Sequence, residues 1–145
     1  MTLFLRERIL VPIDFSEEAF IALDNTLEFI GDPAKIHVLH VLPPLEATEP
    51  GVVWETIDDD RRAENVTKAF YQKRSTEVDK SLHFKVATGN ASSEIIDYAA
   101  QNDINLIVIP SHGRTGIARF FLGSVAERVV RFSPCPVLVL RREPA

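Results

Sequence analysis

Ile104-Asn105-Leu106-Ile107-Val108-Ile109-Pro110-Ser111-His112-Gly113, then a nine-residue connection from Arg114 to Leu122, then Gly123-Ser124-Val125-Ala126-Glu127, decide the fold. The apolar, branched run up to Ile109 predicts a buried strand that Pro110 brings to an end. Gly113 and Gly116 follow it, and Gly123-Ser124 opens a helix. Backbone stripped of side chains just past a strand's carboxyl end, leading into a helix amino terminus, is how α/β folds hold phosphates. Unpaired N–H groups and the helix dipole both face the anion. The pattern is neither a P-loop nor a dinucleotide fingerprint, and the phosphate-gripping lysine of the P-loop is missing.

Outward from this stretch, short apolar runs alternate with amphipathic ones. Ile9 to Ile13 predicts a strand, and Phe20, Leu23, Leu27 and Ile30 mark one face of the next helix. Ser16 fits its N-cap, Glu17 and Glu18 its first turn, and Phe15 with Phe20 a hydrophobic staple. Gly31-Asp32-Pro33 stops it. Lys35 to Leu42 predicts a second strand, ended by Pro43-Pro44. A loop from Leu45 to Val53 and one charged helix over roughly 55–80 follow, with a stripe at Ala63, Val66 and Phe70. Leu82 to Ala87 predicts a third strand, and Gly89-Asn90 leads into a helix with Ile95, Ile96, Ala99 and Ala100 inward. Beyond the glycine segment, a helix over Ser124 to Phe132 turns Val125, Val129 and Phe132 inward, and Pro136 to Leu140 is the last strand. Strands apolar throughout, separated by amphipathic helices, predict a five-stranded, mostly parallel, doubly wound sheet in a three-layer α/β/α sandwich. Ligands on such sheets bind beyond the carboxyl ends of the strands, where the strand order reverses. Asp14 after the first strand and Ser111 after the fourth would flank that crevice.

The 145 residues suit a single domain, and the formal charge of −5 argues against a dedicated nucleic-acid binder. Arg114, Arg119, Arg128 and Arg131 surround the glycine segment, either as a polyanion-facing patch or as a solvated face. Cys135, the only cysteine, permits no intrachain disulfide, and between Pro134 and Pro136 it has no neighbour to activate it. No signal peptide or membrane-spanning run is apparent, so the cytoplasm is the expected address.

Each candidate residue carries two readings. Ser124-Val125-Ala126-Glu127 matches a capping box, in which the hydroxyl merely ends the helix; the same hydroxyl and its neighbouring N–H groups suit a phosphate grip. Gly113 and Gly116 suit a phosphate loop or ordinary turns. Asp14 suits a ribose, base-edge or metal-bound-water contact, or a cap for the first helix. Asp58-Asp59-Asp60 reads as a solvated helix start. His37 and His40 face opposite sides of a strand and cannot share a metal. His112 is a phosphate or ribose neighbour with no carboxylate beside it to make it a general base. No catalytic or metal-ligating constellation has a recognisable spacing.

These residues resemble the universal stress protein family over nearly the whole chain. The likeness runs from Ile9-Leu10-Val11-Pro12-Ile13-Asp14-Phe15-Ser16 through His40-Val41. It is strongest at Ser111-His112-Gly113-Arg114-Thr115-Gly116 with Leu122-Gly123-Ser124-Val125-Ala126-Glu127, and ends at Ser133-Pro134-Cys135-Pro136-Val137-Leu138-Val139. The ATP-binding branch carries G-x2-G-x9-G-[S/T], and Gly113, Gly123 and Ser124 fit it. The resemblance implies a fold like that of the adenine nucleotide alpha hydrolases. Pro12, Ile13, Asp14 and Val41 would line the adenine and ribose pocket. Ser111, His112, Gly113, Arg114, Gly116, Gly123, Ser124 and Val125 would hold ribose and phosphates of ATP, with Mg²⁺ bridging. It also implies a homodimer joined through residues 136–140, and a stress-response role exercised through nucleotide-dependent conformation or an unidentified protein partner. Pro110, where the motif has its first glycine, lacks an N–H and fixes φ. That departure keeps a rival open: a dimeric interaction module that binds no nucleotide. A weak ATPase is the other.

Overall fold

The computed structural model describes residues 5–45, 58–112 and 122–141. Five strands form one parallel sheet: β1 (Ile9–Pro12), β2 (Ile36–Leu42), β3 (His83–Thr88), β4 (Leu106–Pro110) and β5 (Val137–Leu140), in the order β3-β2-β1-β4-β5. The chain steps outward from β1 to β3, then crosses back to β4 beside β1. The strand order therefore reverses between β1 and β4, the seam where Asp14 and Ser111 emerge.

Alternation along the strands builds the three layers. Ile9 and Val11 face a cluster with Phe20, Leu23 and Phe70, while Leu10 faces Ile95, Ala99, Ala126 and Val129 on the other side. The first side is covered by α1 (Glu17–Ile30) and α2 (Asp59–Lys73), and the second by α4 (Ala91–Gln101) and α5 (Ser124–Phe132). No helix among the described residues is long and apolar enough to cross a membrane.

Local chemistry explains α1 as expected. Ser16 Oγ accepts the Ala19 N–H at 3.2 Å, and Phe15 meets Phe20 edge-on with ring centres 5.8 Å apart. Gly31 ends the helix at φ 79°, a left-handed conformation that glycine adopts without penalty.

The single charged helix expected over 55–80 is two helices in the described part, α2 and the short α3 (Glu77–Lys80). Asp58, not one of the later carboxylates, caps α2, accepting the Arg61 N–H at 2.7 Å, and Asp59 and Asp60 occupy its first turn. The break comes at Arg74-Ser75-Thr76, because a second cap competes there for the backbone. Thr76 and Asp79 form a reciprocal capping box, and the buried Asp79 also binds Arg74 Nε at 3.1 Å. Arg74 reaches on to Asp24 of α1 at 2.6 Å, tying α1 to this corner.

Two helix faces differ from expectation. In α4 the buried face is Ser92, Ile95 and Ala99, while Ala100 is exposed. In α5 Ala126 and Val129 are buried, whereas Val125 is exposed and Phe132 is 55% exposed. The inward face is thus one residue away from the bulkiest side chains: β5 is the edge of the sheet and offers little surface for them to cover.

The middle seam has its own geometry. β1 and β4 are paired at Ile9↔Leu106 and Leu10↔Ile107, with no paired positions beyond. At the amino end Asn105 Oδ1 accepts the N–H groups of Glu7 and Arg8, at 3.1 and 2.8 Å, and its own N–H reaches Arg8 O at 2.7 Å. Past Leu10, β1 goes on pairing with β2 alone, the Ile13 N–H donating to Leu39 O at 2.8 Å.

Candidate functional site

Two chain segments meet at the carboxyl tips of β1 and β4. On the β1 side Pro12 and Ile13 are buried and Asp14 is half-buried. Asp14 Oδ1 accepts the Ser16 N–H at 3.0 Å, which realises its expected local role ahead of α1. The turn is tight: Phe15 adopts φ 63°, an uncommon conformation for a residue with a side chain. His40 of β2 supports it from below. A hydrogen bond joins His40 Nδ1 to Ile13 O at 2.8 Å, and the imidazole meets the Phe15 ring edge-on at 4.9 Å. Neither support is visible in the sequence, where Phe15 reads only as half of a staple. The one cue is an Asx turn ahead of the N-cap serine. His37 lies on the opposite face, against Tyr98 of α4, so the two histidines are indeed separated by the sheet.

On the β4 side Ser111 and His112 are 6% and 4% exposed. The Ser111 N–H donates to Leu140 O at 2.8 Å, extending the β4–β5 ladder by one bond. Its carbonyl accepts the Gly123 N–H, also at 2.8 Å, and this bond sets the start of α5 against the tip of β4. Gly123 is needed for closeness rather than for its dihedral angles. At φ −62° and ψ 159° any residue fits, but a Cβ there would stand 3.3 Å from Ser111 O and 3.7 Å from His112 Cα.

The capping box expected at Ser124 does not form. Gly123 is the N-cap, no side chain among the described residues caps α5, and Ser124 is exposed as the first helical residue. Glu127, which the box requires to reach back, instead pairs with Arg131 at 2.8 Å. A glycine N-cap has no side-chain oxygen to offer, so the first N–H groups of α5 receive no cap from it. The tip of β4 also holds a buried nitrogen with no partner among the described residues. His112 Nδ1 lies 3.1 Å from Ser111 Oγ, but Nε2, closed to water, has no hydrogen bond among the described residues. Leaving such a group unpaired costs about 1–3 kcal/mol.

Of the residues singled out in the sequence, Pro12, Ile13, Asp14, Ser111, His112, Gly123, Ser124 and Val125 lie at the carboxyl tips of β1 and β4 and the start of α5. Val41 is near the carboxyl end of β2, half-buried against the second core cluster. Gly113, Arg114 and Gly116 lie outside the described residues. Pro110 closes β4, paired with Leu140 in extended conformation, so the strand asks for no positive φ there. Among the described residues no three His, Cys, Asp or Glu side chains gather to hold a metal.

A parallel sheet whose strand order reverses between β1 and β4, with a helix starting at that switch point, places the protein among the doubly wound α/β proteins. Residues 6–141 match the model of the universal stress protein family, and the chain belongs to that family. It is 32% identical over 145 residues to universal stress protein MJ0531 of Methanocaldococcus jannaschii, covering 95% of this chain and 84% of that one. It superposes on the solved structure of MJ0577 from the same organism with a TM-score of 0.71 at 28% identity, covering 99% and 100% of the two chains. Two solved structures share the fold at lower identity. One is a universal stress protein in complex with cAMP (19%, TM-score 0.66, coverage 94% and 98%), the other an Arabidopsis thaliana member with AMP bound (18%, TM-score 0.61, coverage 94% and 92%).

Proposed function

We propose that this universal stress protein binds an adenine nucleotide, ATP in the first instance, in the crevice between the tips of β1 and β4. One observation carries the reading: the Gly123 N–H binds Ser111 O, which brings a helix start without a side-chain cap among the described residues against the tip of β4. A phosphate would meet the first N–H groups of that helix. The cAMP and AMP complexes agree with this, but their low identities carry the fold alone. Asp14 and the backbone of Pro12 and Ile13 would meet the nucleoside, and Ser124 and Val125 the phosphates. Mg²⁺ would ride on the phosphates, as that ion commonly does. Binding would act through conformation or partner choice rather than through turnover.

Isothermal titration with ATP and Mg²⁺ tests this, together with mass spectrometry of any ligand retained through purification. Saturable heat at micromolar to millimolar ATP supports it. No signal at millimolar ATP leaves the rival reading, a module without nucleotide, which Pro110 favours by removing one backbone donor. Sustained phosphate release that disappears in Asp14→Ala would instead make the protein a slow ATPase.

A second copy is the natural cover for β5. It is an edge strand with Leu138 43% exposed, and an unpaired apolar edge invites association. Light scattering on the eluting protein should give twice the chain mass, and Leu138→Lys should return it to a monomer.

A further inference from the structure

At the opposite, amino-terminal edge of the sheet, His37 and His83 occupy directly paired positions on β2 and β3. Their rings stack with centres 4.9 Å apart and 28° between planes. Each is pinned on its far side to a different element. His37 Nδ1 is 2.6 Å from the Tyr98 hydroxyl of α4. His83 Nε2 is 2.9 Å from Ala34 O in the 3-10 turn Pro33–Lys35, and against a carbonyl that nitrogen must carry the hydrogen. Two stacked rings thus fasten four elements together: β2, β3, α4 and the turn.

We propose that this histidine pair is an acid-sensitive latch: charging both stacked rings drives them apart and loosens the end of α4 and the Pro33–Lys35 turn from the sheet. The surroundings oppose the charge. Lys85 of β3 and Arg8, just ahead of β1, both act on His37 alongside His83; Tyr98 on α4 offers only a hydroxyl, and Ala34 only a carbonyl. The carboxylate of Asp103 is 3.9 Å from Arg8 and mostly exposed, so it screens that charge weakly. His83 is exposed, which gives protons a way in. Burial first, then His83, Arg8 and Lys85, hold His37 below its ordinary value of 6.5. A group with a depressed native pKa favours the unfolded, proton-binding form in acid. Its contribution is complete above 6.5 and drains away as the pH falls from there through the lower native value. Nothing in this device depends on the nucleotide reading.

Amide hydrogen exchange at pH 7.5 and 5.5, corrected for intrinsic rates, reads the latch directly. In the wild type the last turn of α4 and the Pro33–Lys35 turn should exchange several-fold faster at the lower pH, because the open form binds protons more readily than the latched one. His83→Gln keeps a donor for Ala34 O but cannot charge, and there the acceleration should shrink to the part that burial, Arg8 and Lys85 impose on His37; in His37→Gln it should vanish. NMR titration should show His37 protonating below 6.5 in the wild type and nearer to it in His83→Gln. No acceleration in the wild type, or the same acceleration in His83→Gln, overturns the proposal.

Discussion

Replacing Gly123 by valine tests the candidate site most directly. The backbone there tolerates any residue, so the cost is steric alone. A Cβ would already stand 3.3 Å from Ser111 O, a fixed carbonyl rather than a flexible side chain, and valine adds two more carbons. Overpacking of this kind costs about 1–3 kcal/mol. For a chain of this size that lowers Tm by about 2–12 °C, within a total stability of about 5–15 kcal/mol, so the variant should fold. Binding should suffer more. Pushing α5 back from the tip of β4 takes its first N–H groups out of reach of a phosphate. Each charge-assisted bond lost is worth about 1.5–3 kcal/mol, or about ten- to hundredfold in affinity. Gly123→Ala should fall between, since one methyl at 3.3 Å needs an adjustment of only tenths of an ångström. Calorimetry with ATP and Mg²⁺ measures the affinity, and differential scanning fluorimetry the stability. A folded Gly123→Val protein that binds ATP as tightly as the wild type would refute the site.

Other outcomes follow from the same structure. His112→Asn keeps a polar atom near the Nδ1 position for Ser111 but deletes Nε2; ATP affinity should fall about tenfold with little change in Tm, and unchanged affinity would show that Nε2 meets no ligand. Asp79→Ala takes one of Arg74's two carboxylate partners among the described residues and the returning half of the α3 capping box, so urea denaturation should show a loss near the lower end of the roughly 3–5 kcal/mol typical of a broken buried pair; a loss under about 1 kcal/mol would contradict the burial argument. Burial pushes the Cys135 thiol up, so at pH 8 iodoacetamide should modify the native protein at least about tenfold more slowly than the urea-unfolded chain, and equal rates would refute the assignment.

Most of the architecture was legible because strand burial leaves a plain mark. Ile9 to Pro12 and Leu106 to Ile109 are apolar at every position, which only a sheet covered on both faces explains. The first helix was legible to its caps, since Ser16, Phe15, Phe20 and Gly31 each act locally. What escaped depends on neighbours distant in sequence. Nothing near Arg74 announces that its side chain will bridge Asp24 and Asp79 and that the chain will leave the helix there. Val125 and Phe132 look like core residues until β5 proves to be the sheet's edge. At the site, Ser124 through Glu127 satisfied the capping pattern, yet Gly123 took the cap position because its N–H is drawn to Ser111 O. Pro110, which stands where the motif has its first glycine, ends an extended strand that its fixed φ suits, while its missing N–H still removes one backbone donor.

The clamp at Asn105 and the short pairing of β1 with β4 have a mechanical meaning. Bolted at one rim and unzipped towards the other, the sheet's centre is a wedge with its mouth at Asp14 and Ser111. A small molecule lodged in that mouth would brace the two halves of the protein against each other and fix the angle between them. What such a device passes on is a change of outline, legible to any surface that docks across both halves, with no bond made or broken.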